Sequence, residues 1–173
     1  PLLAARLRVA ARRGLKISVL HSADDDLLMN VAAKAIVPPS HLAGSLAQVV
    51  RAVAEASGRE VPASVAGVEV SAAARSVADS LTGGSAAGIF LGNFAEQHPD
   101  AARLGRLAQL LADVLGGRFG YLGQAANSVG GYLAGCLPGG QGLNARAMLE
   151  SPRKAYLLFG IEPELDCQDP VLA

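Results

Sequence analysis

AGIFLGNFAEQHPDAARLGRLAQLLADVLGGRFGYLGQAANSVGGYLAG, residues Ala87 to Gly135, decides the reading of this chain. An apolar run, Ile89-Phe90-Leu91, stops at Gly92-Asn93, and a polar loop from Phe94 to Pro99 leads to Asp100, a residue suited to cap a helix. From Asp100 the apolar residues Leu104, Leu107, Ala108, Leu111 and Leu115 recur at helical spacing, and Gly116-Gly117 ends the pattern. Arg118 to Leu122 then reads as another strand, Ala126 to Ala134 as a short helix, and Pro138 to Gly142 as a glycine-rich loop. Strand, loop and helix in this order form the βα unit of an open parallel sheet.

The same grammar extends in both directions. Pro1 to Arg13 sets Leu3, Leu7, Ala10 and Ala11 against Arg6, Arg8, Arg12 and Arg13 and stops at Gly14, as an amphipathic helix does. Lys16 to Leu20 predicts a buried strand, followed by the acidic loop His21 to Asp26, and Lys34 to Val37 predicts a second. Pro38-Pro39 halts it, Ser40 is a candidate N-cap, and His41 to Ser57 carries Leu42, Leu46, Val49, Val50 and Val53 on one helical face. Residues 59–70 lack periodicity, and a third helix runs from Ser71 to Leu81. Beyond the opening stretch, Asn144 to Glu150 is helical and Lys154 to Phe159 predicts a last buried strand. The expectation is therefore α/β: a Rossmann-like, doubly wound, mostly parallel sheet of about five strands with helices on both faces, over residues 1–173 as one domain.

Composition narrows the function. Of 173 residues, 51% are hydrophobic but only 4% aromatic, so Ala, Leu, Val and Gly must do the packing. Such a composition suits helices lying close on a sheet, and a G+C-rich genome accounts for the alanine equally well. A net charge of zero and the scarcity of rings argue against nucleic-acid binding. No apolar run reaches the roughly 20 residues of a membrane-spanning helix. Cys136 and Cys167 stand far apart with no clustered His, which is too few ligands for an iron-sulfur cluster or a structural zinc.

The phrases GNFAEQHPDAARL, ANSVGGYLAG, LNARAML and PRKAYLLFGIEPELD, with Ala35-Ile36-Val37-Pro38-Pro39-Ser40 before them, resemble the large iron-sulfur subunit of proton-pumping NADH-quinone oxidoreductase, respiratory complex I. Within that subunit they resemble the C-terminal region built on the molybdopterin-oxidoreductase fold. The resemblance covers nearly the whole chain and is most specific from residue 87 onward. It implies a parent complex that passes electrons from NADH to quinone at the cytoplasmic face of the bacterial inner membrane. It also implies partners in the rest of the subunit and in other peripheral-arm subunits, without direct membrane insertion. The iron-sulfur clusters are expected in a segment outside this chain, which opens on Pro1 without a Met and reads as an excised piece.

No catalytic, metal-binding or cofactor-binding residue is expected of this stretch by itself. A vestigial cleft would draw on Ser22, Asp24, Asn93 and Glu162. Pterin-binding relatives commonly carry Asp-Pro-Arg after the first strand and Asn-Pro after the last, where this chain has Ser22-Ala23-Asp24 and Glu162-Pro163. Both changes argue against cofactor contact, and acidic groups at a helix start are favoured by the dipole alone. His98 beside Pro99 has no second His or carboxylate at catalytic spacing, and His21 and His41 are weaker candidates. Asn127-Ser128-Val129-Gly130 lacks the G-x-S-x-G of a nucleophile elbow, and neither a P-loop nor a G-x-G-x-x-G follows any strand. Gly130, Gly131 and Gly135 are read as sites of close helix-to-sheet packing. The favoured function is a structural and assembly region, and the alternative is a pterin- or nucleotide-binding domain of a molybdopterin-type oxidoreductase.

Overall fold

The structure is a computed structural model that describes residues 2–123, 127–167 and 169–171. Contacts cluster into two units, residues 1–124 and 125–173. The class is mixed α/β, with helices dominant and two short two-stranded parallel sheets.

In the first unit, α1 (Leu2–Arg12) ends at Gly14, whose φ of +100° takes the chain out of the helix as the glycine stop requires. Strand β1 (Ser18–His21) pairs in parallel with β2 (Ala33–Ile36), Ser18 opposite Ala33 and His21 opposite Ile36. Helices α2 (Leu42–Ala56) and α3 (Ala72–Thr82) follow. Strand β3 (Gly88–Leu91), helices α4 (Asn93–Glu96) and α5 (Ala101–Leu115), and β4 (Arg118–Tyr121) complete the unit, with β3 and β4 parallel. Residues 88–121 thus form a β-α-β unit.

Helix α2 is the centre of the core. It packs on both α3 and α5, and the residues expected on its inner face, Leu42, Leu46, Val49, Val50 and Val53, are all buried. Helix α5 presents Leu104, Leu107, Ala108 and Leu111 to this core, but Val114 takes the last buried place and Leu115 is only half-buried. Ser71 caps α3 by accepting the Ala74 amide at 3.2 Å. After α5 the chain turns through Gly116, at φ +64°, and Gly117 then passes so close to β3 that a Cβ there would lie 2.7 Å from the Ala87 carbonyl oxygen. A second tie, Ser18 Oγ to Ser80 Oγ at 2.5 Å, fastens β1 to α3.

Several local expectations are corrected. Ser40 does not cap α2: Pro39–His41 forms a 3₁₀ turn and His41 takes the cap position without a side-chain bond. Asp100 occupies the N-cap of α5 through its backbone carbonyl, which accepts from Arg103 and Leu104, not through its carboxylate. The expected loop after β3 begins as α4, because the Gly92 carbonyl collects the Ala95 and Glu96 amides.

The second unit contains α6 (Ser128–Leu133), α7 (Ala145–Glu150) and α8 (Pro163–Asp166). Asn144 caps α7 by accepting the Ala147 amide at 2.9 Å, and Arg146 and Glu150 form an i,i+4 ion pair. The predicted start of α6 at Ala126 lies outside the described residues, as do Pro1 and the final Leu172-Ala173. Lys154–Phe159 is not a strand: it has no ladder partner among the described residues, and Leu157 and Phe159 are 94% and 93% exposed. Among the described residues four strands are paired, in two separate two-stranded sheets, where one sheet of about five was expected, because an apolar run becomes a strand only when another strand takes up its backbone groups. Within the second unit, a Cβ at Gly130 would stand nearest the side chain of Asn127, at the start of its own turn.

Candidate functional site

In the first unit the C-terminal ends of the strands converge on one group of rings. His21 closes β1 and Phe94 lies in the first turn of α4 after β3; their centroids are 5.2 Å apart, and Phe94 meets His98 edge-on at 6.5 Å. Both histidines are held by local turns, His21 Nδ1 accepting the Ala23 amide and His98 Nδ1 accepting the Asp100 amide, each at 3.0 Å. With Nδ1 accepting, the proton of neutral His98 sits on Nε2, which donates to the Pro39 carbonyl at 3.0 Å. His98 thus straps the entry of α5 to the turn that follows β2.

Beside this strap lies an open hollow of about 590 Å³ lined by Pro39, Ser40, Phe94, Gln97, His98, Pro99 and Asp100. Its position outside the carboxyl ends of parallel strands is where α/β proteins place ligands. Its walls are mainly two prolines and a phenyl ring, and both ring nitrogens of His98 are already used within the fold. A smaller hollow of about 110 Å³ lies at the end of β1 and β2, where His21, Asp24, Asp25 and Lys34 meet.

Of the three cleft candidates in the first unit, none lines the larger hollow. Ser22 follows β1, and its Oγ is buried with no hydrogen-bond partner. Asp24 lines the smaller hollow and is engaged by Lys34 Nζ at 2.5 Å. Asn93 starts α4, exposed, and lines neither hollow. Glu162 belongs to the second unit, where it occupies the N-cap of α8 and its amide donates to Asp166 Oδ2 at 2.7 Å. The sequence reading missed Pro39 and Phe94 as wall residues and Glu96, whose Oε1 is buried without a partner. The available signal was the pair of proline-marked turns, Pro38-Pro39 after β2 and His98-Pro99 after β3.

Among the described residues no three His, Cys, Asp or Glu side chains group to hold a metal ion, and Cys136 and Cys167 are free thiols. No described helix is long and apolar enough to cross a membrane. The one resolved ionisation effect is structural: the hydrogen bond and the charge of Glu150 raise the pKa of Arg146, which is fully charged in any case. Fold and site together define an α/β protein with an apolar hollow at the carboxyl ends of its strands. Comparison with known proteins gives no matching family model, no matching curated protein and no matching solved structure.

Proposed function

We propose that this chain is a structural and assembly region of the peripheral arm of an NADH-quinone oxidoreductase, without catalysis of its own. The observation that carries the reading is the character of the larger hollow, whose walls are mainly apolar and whose His98 has both ring nitrogens bonded within the fold; in the separate, smaller hollow Asp24 is paired with Lys34. A pterin or nucleotide site needs convergent polar groups for ring edges and phosphates, and these residues offer a poor set. The phrases from GNFAEQHPDAARL to PRKAYLLFGIEPELD, in order and spacing, support the parent complex, whose partners are the remainder of the subunit and neighbouring peripheral-arm subunits at the cytoplasmic face of the bacterial inner membrane. Iron-sulfur clusters carried by other segments conduct the electrons. The finer architecture belongs to the same proposal: the two parallel pairs supply four strands of a doubly wound sheet of about five, covered by helices on both faces.

The alternative, a pterin- or nucleotide-binding domain, draws on one observation, the placing of Phe94 and His98 beside a hollow large enough for a heterocycle. Calorimetric titration of the chain with NADH and with GDP, the latter standing for the nucleotide half of a pterin cofactor, separates the two. The assembly reading expects no saturable heat. Saturable binding that is lost in Phe94→Ala would overturn it in favour of the alternative.

A further inference from the structure

Helix α1 differs from every other long helix in the first unit. It buries no residue, whereas α2, α3 and α5 each bury at least three. Among the described residues, Arg8 ties it to the body, its Nε donating to the Leu27 carbonyl at 3.2 Å. From Leu2 to Ala23 the chain carries Arg6, Arg8, Arg12, Arg13 and Lys16 but no Asp or Glu, and none of the five has a carboxylate partner among the described residues. On the outward side Leu2, 84% exposed, and Val9, 47% exposed, continue with Ala5 as an apolar ridge, from which Leu3, 46% exposed, is separated by Arg13 and Arg6.

The geometry of that ridge identifies what fits it. At 3.6 residues per turn, Leu2, Ala5 and Val9 fall within an arc of about 60°, with Arg12 on one side and Arg6 on the other. A helix that lies in a lipid interface buries a much broader apolar face. A narrow ridge between guanidinium groups instead matches a shallow apolar groove bordered by carboxylates, since Arg pairs bidentately with carboxylate and its stem covers apolar surface.

We infer that the outer face of α1 is a docking surface for an acidic protein surface, a helix or groove with an apolar stripe flanked by Asp or Glu. The inference rests on the assembly reading only in expecting a partner; the surface itself is defined by charge and exposure.

The test uses the full chain and three probes followed by fluorescence: a helical peptide with a Leu stripe flanked by Glu, the same peptide with Lys for Glu, and vesicles of phosphatidylcholine with phosphatidylglycerol. The Leu/Glu peptide is expected to bind, more weakly as salt rises, and the Leu/Lys peptide and vesicles are expected not to. Combined Arg6→Glu, Arg12→Glu and Arg13→Glu should weaken peptide binding by about tenfold or more. Leu2→Ser with Val9→Ser should weaken it without a change of charge. Because α1 buries no residue, both variants should keep the thermal midpoint of the parent chain, which confirms that binding and not folding is read. Failure of the Leu/Glu peptide to bind, unchanged binding by the charge-reversed chain, or equal binding of the vesicles would overturn the inference. Peptide binding together with normal assembly of an oxidoreductase lacking residues 1–173 would leave the surface standing and refute the assembly reading alone.

Discussion

Replacing Leu111 by Ala removes three carbons from the seam where α5 meets the central helix α2. Leu111 is 3% exposed and belongs to the cluster that includes Val49, Val50, Val53 and Leu107. Burying each methylene-sized group contributes about 0.8 kcal/mol, so the lost transfer energy is about 2.4 kcal/mol before any cavity is counted. The hollow left behind is flanked by two helices already packed on other elements and can close only in part, which brings the expected loss to about 3–4 kcal/mol. For a chain of this size that is a fall in thermal midpoint of about 6–16 °C, read by circular dichroism or calorimetry on purified protein. Leu157→Ala is the matched control: the same atoms are removed from a side chain 94% exposed, and the change should stay within about 0.5 kcal/mol. Equal destabilisation by the two substitutions, or a Leu111→Ala effect below about 1 kcal/mol, would refute the claim that α2 and α5 form the core.

Three further outcomes follow from local geometry. Gly117→Ala sets a methyl group 2.7 Å from the Ala87 carbonyl oxygen, and because that atom is backbone in the adjoining strand register, a loss of about 1–3 kcal/mol in chemical denaturation is expected. Ser71→Ala deletes the cap of α3 and should cost about 1 kcal/mol in the same assay. His98→Ala removes both the bond to Pro39 and the acceptor for the Asp100 amide; a loss of about 1–2 kcal/mol is expected, together with faster hydrogen exchange at residues 98–101 than at the centre of α5.

The sequence disclosed most where one periodicity ran long enough to be unambiguous. The inner face of α2 was legible residue by residue because apolar side chains recur over four turns between Pro39 and Gly58. The β3-α5-β4 path was equally legible, since Gly92 and Gly116-Gly117 punctuate it. Short-range hydrogen bonding defeated other readings: His41 displaced Ser40 at the start of α2, and the Gly92 carbonyl began a helix at Asn93 where polar residues suggested a loop. The segment Lys154–Phe159 has the composition of a strand, but strand pairing is non-local, and composition cannot supply the second strand. At the site, the polar residues Ser22, Asp24 and Asn93 were correctly placed after strands, yet the larger hollow is walled by Pro39, Phe94 and His98. Apolar walls carry no motif, and a search for donors and acceptors overlooks them.

The proposed assembly role is tested most directly in the bacterium that encodes this chain, by removing the segment corresponding to residues 1–173 and measuring assembled NADH-quinone oxidoreductase on native gels alongside NADH oxidation by membranes. The account predicts a loss of assembled complex, with turnover per remaining complex retained. A complex that assembles in normal amount and oxidises NADH at the full rate would contradict it.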